Sequence, residues 1–302
     1  MLKYASPLRY PGGKAALTGF LTDTIDLNEL RGCAYYEPYA GGAGAALGLL
    51  TQDVVSELYL NDADQRVHAF WHSALTVSDH FVDRISNVPL TIKEWHRQHD
   101  ICSNPGGFSR FDVGFAAFFM NRCNRSGVLT GAGPIGGYAQ AGAWRMDVRF
   151  NRTALAERIL NLGRLRDRIR LSGEDAIVFL KRSLPRGRAR GQVFVYLDPP
   201  YVIKGQRLYL NAYGPRDHAA LARFLRAQKT LPWLVSYDDN ELVRTLYASD
   251  KLAMMPIMYT LQEKRAAQEL IISPRHVAVP RSCRVWGEDR LLVAPENKRK
   301  SP

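Results

Sequence analysis

Apolar positions along this chain carry two signatures. Short unbroken apolar runs mark strands buried on both faces, and stripes spaced three and four apart mark helices. The clearest run is Val193-Phe194-Val195-Tyr196-Leu197, stopped by Pro199 and Pro200, neither of which can donate to a sheet ladder. Around it the pattern predicts strands over 34–36, 57–60, 168–172, 232–237, 253–261 and 268–273. Helices are predicted over 14–24, 45–52, 63–77, 176–183, 218–228 and 240–248, with Val67, Phe70, Trp71 and Ala74 striping the third. Asp217 is expected to cap the fifth of these, Asp238 or Asp239 the sixth, and His218 reads as a helix-surface residue. Between 78 and 157 the alternation stops, and segments 79–86, 91–101 and 110–121 read as helices. The reading is an α/β domain made of 1–77 and 158–302, interrupted by an inserted unit, 78–157.

Asp198 falls just past the end of the central strand, where open α/β sheets form their ligand crevices. Asp198-Pro199-Pro200-Tyr201 offers a carboxylate, a rigid carbonyl and an aromatic face. Two acceptors can grip the hydrogens of a ring-conjugated amine and concentrate density on its nitrogen, while Tyr201 stacks on the ring. The competing reading is a Pro-Pro turn with Asp198 as a cap and Tyr201 in the core. Earlier, strand 34–36 runs into Glu37-Pro38-Tyr39-Ala40-Gly41-Gly42-Ala43-Gly44 and a helix, the first unit of a nucleotide-binding fold. The next strand ends at Asn61-Asp62, where such folds place an acid on ribose hydroxyls. Asp175 also follows a strand end and suits either a helix N-cap or a purine amine, without conflict between the two. Tyr10-Pro11-Gly12-Gly13-Lys14 is a glycine turn whose lysine opposes the helix dipole, as a bound anion would explain. The spacing is not that of a Walker A loop.

Charge changes the picture further. A net charge of +12 and a pI near 9.7 suit a polyanionic partner. Residues 121–152 hold Arg122, Arg125, Arg145, Arg149 and Arg152 against the single acid Asp147, with Asn121, Asn124, Tyr138, Trp144 and Phe150 interleaved. Arginine, asparagine and aromatics around a flexible glycine loop, 131–143, are what base edges and phosphates require, or else a solvated loop with anchoring aromatics. Arg186, Arg188 and Arg190 precede the central strand, opposite Asp198, and read as solvated. Tyr209 and Tyr213 read as a flap after Tyr201, and Lys298-Arg299-Lys300 as a disordered tail. Cys33, Cys102, Cys123 and Cys283 are scattered without metal spacing and read as reduced packing residues, with no structural metal. No membrane-length apolar run and no signal segment is visible, so a cytoplasmic location is expected.

In this order the motifs resemble the Dam-type N6-adenine DNA methyltransferases: Tyr10 to Lys14, Glu37 to Gly42, Asn61-Asp62, Asn121-Arg122, Glu174-Asp175, Asp198 to Tyr201 and Val235-Ser236-Tyr237. The resemblance implies a Rossmann-like seven-stranded sheet ending in an antiparallel hairpin, with a helical recognition insertion. It implies S-adenosylmethionine as cofactor, double-stranded DNA as partner, no metal and a monomer. Tyr10, Lys14, Glu37, Pro38, Tyr39, Gly41 and Gly42 would line the methionine end, Asp62 the ribose and Asp175 the adenine. Asp198, Pro199, Pro200 and Tyr201 would act on the base. Asn121, Arg122, Asn124, Arg125, Tyr138, Trp144, Arg145 and Arg149 would meet DNA. Methylation of RNA adenine or of cytosine N4 stays open, as does a silent nucleic-acid-binding relic. Two departures stand out. Ala43 replaces a usual glycine, and the Asn-Val-Pro-Phe-Gly-like run of the recognition hairpin is absent, so GATC specificity does not carry over.

Overall fold

The computed structural model describes residues 6–9, 14–202, 213–259, 265–285 and 288–295. Tyr10 to Gly13, Tyr209, residues 260–264 and Lys298 to Lys300 lie outside them. Seven strands form one mixed sheet: β1 (Ala34–Glu37), β2 (Glu57–Asn61), β3 (Ile169–Ser172), β4 (Val193–Leu197), β5 (Trp233–Asp238), β6 (Lys251–Tyr259) and β7 (Arg265–Ser273). Their order is β3-β2-β1-β4-β5-β7-β6, with β7 antiparallel to both neighbours and the other pairs parallel. The order reverses between β1 and β4, so the carboxyl ends of these strands open the crevice in which such sheets bind ligands. This is the Rossmann-like seven-stranded sheet with an antiparallel end expected from the sequence.

All five residues of β4 are buried, and the sheet is covered on both faces. Tyr35, Phe194 and Tyr196 face the larger apolar cluster, with helices α1 (Thr18–Leu27), α2 (Gly44–Thr51) and α3 (Gln65–Thr76). Tyr36, Val195 and Leu197 face the other, with α8 (Ala176–Ser183), α9 (Pro215–Ala227) and α10 (Glu241–Leu246). Helices α4 (Ser78–Asn87), α5 (Ile92–Ser103), α6 (Arg110–Cys123) and α7 (Arg152–Arg164) belong to or border the region read as an insertion. Phe81, Phe115, Phe118 and Phe150 from it join the same apolar cluster as Phe70 of α3. Helix α6 approaches α3 closely at Gly114, where an added Cβ would lie 2.4 Å from the Ala69 carbonyl oxygen.

The structure adds and corrects several local features. Helix α7 and a hairpin, β8 (Ser282–Val285) with β9 (Glu288–Leu291), were not expected. Leu155, Ile159 and Leu162 bury one stripe of α7, and Asn151 caps it by accepting from the Ala154 amide at 3.0 Å. Gly214, not Asp217, is the N-cap of α9; Asp217 sits three residues in and accepts from the Gly214 amide at 2.8 Å. Asn240 caps α10, while Asp239 pairs with Arg244 at 2.6 Å. His218 is buried rather than on the surface, its Nδ1 2.8 Å from the Tyr237 hydroxyl. Two asparagines of the insertion, Asn121 and Asn124, also turn inward, as described below.

Candidate active site

Asp198 follows β4 at the crevice and is gripped from two sides. Ser236 on β5 donates to Oδ1 at 3.0 Å and is itself 2.8 Å from the Tyr196 hydroxyl. Lys14 places Nζ 3.0 Å from Oδ2. Burial pushes the carboxyl up to about 6, Lys14 opposes that rise, and Glu269 adds to it. Lys14 Nζ also lies 3.2 Å from Glu269 Oε1 and donates to the Tyr201 hydroxyl at 2.9 Å, and that hydroxyl donates to the same Glu269 oxygen. The Lys14 ammonium stands 5.4 Å from the Tyr201 ring centroid. Pro199 is buried and Pro200 half-buried, which fixes the turn. Tyr196 and Glu269 were given no site role by the sequence reading, and Ser236 entered it only as part of the Val235-Ser236-Tyr237 motif. The signal for Glu269 was present: it is a lone charge inside the run Glu269-Leu270-Ile271-Ile272.

The loop after β1 forms the adjoining wall. Glu37 is 3% exposed, and its Oε2 has no hydrogen-bond partner among the described residues. Burial, with Asp198 nearby, pushes this carboxyl up to about 8. Pro38, Gly41 and Gly42 are buried and Tyr39 is half-buried, its hydroxyl 2.7 Å from that of Tyr213. Gly41 and Ala43 both adopt left-handed backbone, φ 45° and 44°. That is why a glycine suits position 43 in related loops, and alanine is the smallest residue that can stand in for it. Asp62 Oδ2 accepts from the Gly41 amide at 2.8 Å and Oδ1 from the Asp64 amide at 2.9 Å, so this acid also shapes the loop. Burial pushes its carboxyl up to about 7.

Asn61 ties three strand ends together. Its Nδ2 donates to the carbonyls of Pro38 at 3.0 Å and Glu174 at 2.9 Å, and its Oδ1 accepts from the Glu174 amide at 2.9 Å. The loops carrying Glu37, Asp62 and Asp175 are thus held in one register. Asp175 is the N-cap of α8, accepting through Oδ1 from the amides of Ile177 and Val178 at 3.0 and 3.1 Å. Only that oxygen makes the cap bonds, and the residue is exposed.

Residues 161–264 match the D12 class N6 adenine-specific DNA methyltransferase family. The matched stretch spans β3 to β6 and carries Asp175, Asp198 to Tyr201 and Ser236. It agrees with the Dam-like family read from the sequence, a family of DNA adenine methylases that use S-adenosylmethionine. No curated protein matches the chain. Among the described residues no His, Cys, Asp and Glu cluster is arranged to hold a metal ion, and no helix is long and apolar enough to cross a membrane.

The residues expected to meet DNA lie outside the matched stretch and separate into two groups. Asn121 is buried: its Oδ1 accepts from the Arg9 amide at 2.7 Å, and its Nδ2 donates to the carbonyls of Arg9 and Gly127 at 2.8 and 2.9 Å. Asn124 is buried too, accepting from the Trp95 indole at 2.7 Å and donating to the Val128 carbonyl at 2.8 Å. Both asparagines replace backbone partners in irregular connections and have no face left for a base. Arg122 is 5% exposed and donates to the Pro7 carbonyl. Burial and the guanidiniums of Arg158, Arg9 and Arg149 pull its pKa down to about 9. Arg152 turns to the carbonyls that end α4, at 3.1 Å for Ser86 and 2.6 Å for Val88.

Arg125 and Arg145 are exposed and Arg149 is half-buried. Trp144 is 69% exposed; Tyr138 is 59% exposed and stacks on His96 at 5.8 Å. The glycine loop between them is knitted rather than slack. Gln140 donates to the Ile135 carbonyl at 2.8 Å and accepts from the Met146 amide at 3.0 Å.

Proposed function

We propose that this protein methylates the N6 amine of adenine in double-stranded DNA, using S-adenosylmethionine, on a base flipped out of the helix. The observation that carries the reading is the pair of acceptors at the end of β4. Asp198 and the Pro199 carbonyl stand at the switch point of the sheet, beside a buried loop in which one oxygen of the Glu37 carboxyl has no partner among the described residues. Asp198, with its carboxyl raised to about 6, is largely ionised at neutral pH and can accept one amine hydrogen while the Pro199 carbonyl accepts the other. Tyr201 offers its ring to the base, and Pro200 holds the turn that aims all three. A flipped base costs a few kcal/mol to unstack, which phosphate and orphan-base contacts must offset.

The cofactor reading passes a test of fit. The orphaned Glu37 oxygen suits a cationic group, and S-adenosylmethionine carries two. Lys14, Glu37, the loop from Pro38 to Gly42, Asp62 and Asp175 would hold it; when bound it supplies an activated methyl group. The segment 78–157 is read as the target-recognition unit, with Arg125, Tyr138, Trp144, Arg145 and Arg149 as its DNA-facing residues. The net charge of +12 would draw it to the duplex.

A tritiated-methyl transfer assay on DNA and RNA, with wild type and Asp198→Ala, tests this. Label is expected in N6-methyladenine of DNA, and the variant should lose ~100-fold or more in rate. Its cofactor affinity should stay within several-fold. Near-normal turnover by Asp198→Ala, or label confined to RNA or to cytosine, would overturn the proposal.

A further inference from the structure

Glu269 lies on β7, opposite Asp238 of β5 and Met255 of β6, and is 1% exposed. A carboxylate at such a depth is costly unless it is paired. Here the pairing has a particular form. Lys14 Nζ sits between two carboxylates, 3.0 Å from Asp198 and 3.2 Å from Glu269, and the Tyr201 hydroxyl bridges Lys14 to Glu269. The ammonium therefore covers an oxygen of Asp198 that the substrate amine would need. With Glu269 alongside, Lys14 can release Asp198 and still keep a buried anion. Without Glu269, Asp198 is the only carboxylate within ion-pair distance of Lys14 among the described residues, and the ammonium and the base amine would compete for it.

We infer that Glu269 is a positioning residue for methyl transfer: it is the anion onto which Lys14 withdraws when the base amine takes Asp198, and it anchors the Tyr201 hydroxyl while this happens. The inference rests on the methyl-transfer reading above. Among the described residues, the charged and titratable groups around Asp198 include Lys14 before α1, Glu37 on β1, Tyr196 on β4, Tyr201 after it, Tyr237 on β5 and Glu269 on β7, with the Ser236 hydroxyl on β5. Of these, Glu269 raises the Asp198 carboxyl and Lys14 lowers it. Neutralising Glu269 removes the first effect and leaves the second, so Asp198 should ionise at lower pH while becoming harder for the amine to reach.

The test compares wild type with Glu269→Gln, which keeps an acceptor for Tyr201, and with Glu269→Ala. In Glu269→Gln, kcat should fall ~10-fold or more, as for loss of a preorganised polar group, with the cofactor KM changing less. The acid limb of the pH–rate profile should move to lower pH. In ligand-free protein, the Asp198 carboxylate, followed by 13C NMR and assigned with Asp198→Asn, should titrate lower in the same variant. A merely structural glutamate would reduce rate and melting temperature together at every pH and leave both titrations in place. That result in Glu269→Gln would overturn the inference. If the wild type transfers no methyl group to any nucleic acid, the proposed function fails and the positioning role with it, and the NMR titration then decides only whether Glu269 acts on the Asp198 carboxyl.

Discussion

Asn61→Ala is the perturbation whose cost follows most directly from the structure. The side chain is fully buried and makes three hydrogen bonds to backbone groups of two loops, at 2.9 to 3.0 Å. Truncation strands the carbonyls of Pro38 and Glu174 and the amide of Glu174. A buried polar group left unsatisfied costs ~1–3 kcal/mol. The carbonyls keep a second lone pair and the loops can relax, so the total should fall near the low end, ~3 kcal/mol. That is a large share of the ~5–15 kcal/mol by which domains are stable. Asn61→Asp separates hydrogen bonding from packing. It still accepts from the Glu174 amide but turns a second acceptor towards two carbonyls. It should be no more stable than Asn61→Ala above neutral pH and should recover as the new carboxyl protonates in acid. Urea unfolding at several pH values reads both effects. An Asn61→Ala variant within ~1 kcal/mol of wild type, below the cost of one stranded group, would refute the reasoning, as would an Asn61→Asp variant equal to wild type at pH 8.

Three other outcomes are expected. Glu37 binds its proton more tightly when folded, up to about 8 against an ordinary 4.5, so its contribution to stability is lost as pH rises through that window. Glu37→Gln should therefore gain stability over wild type between those pH values in urea unfolding, while weakening cofactor binding; a constant difference across the window would contradict the assignment. Gly114→Ala should destabilise by ~1–3 kcal/mol, the usual range for overpacking, because its Cβ would lie 2.4 Å from the Ala69 oxygen; an unchanged unfolding midpoint would show that α6 can shift freely on α3. Among Arg125→Ala and Arg145→Ala, at least one should change site preference on a randomised DNA library, by ~1–3 kcal/mol at one base pair. If both lose only salt-dependent affinity, with a slope lower by ~0.9, these side chains clamp the backbone.

The sheet was legible because its signals are local: β4 is five apolar residues ended by two prolines, and the strand-end motifs follow strands in order. The polar residues that proved most informative about the site were less so. Glu269 is visible as a charge in an apolar run, but only the β5–β7 register brings it to Lys14 and Tyr201. Asn61 reads as half of a motif whose other half, Asp62, drew the attention; that it joins β1, β2 and β3 is a tertiary fact. The insertion misled for a physical reason. Asn121, in the last turn of an apolar helix, and Asn124, just after it, look exposed, yet irregular backbone needs buried amides to satisfy it. Arg122 shares that burial. Helix α7 was hidden by its arginines, although Leu155, Ile159 and Leu162 have helical spacing.

The most direct test of the account is modified-base sequencing of DNA from a host lacking its own adenine methylation, expressing either wild type or Asp198→Ala at equal levels. The account expects N6-methyladenine at a defined site with the wild type and none above background with the variant. N6-methyladenine at equal levels from both, or its absence from DNA of cells holding folded, cofactor-binding wild-type protein, would contradict it.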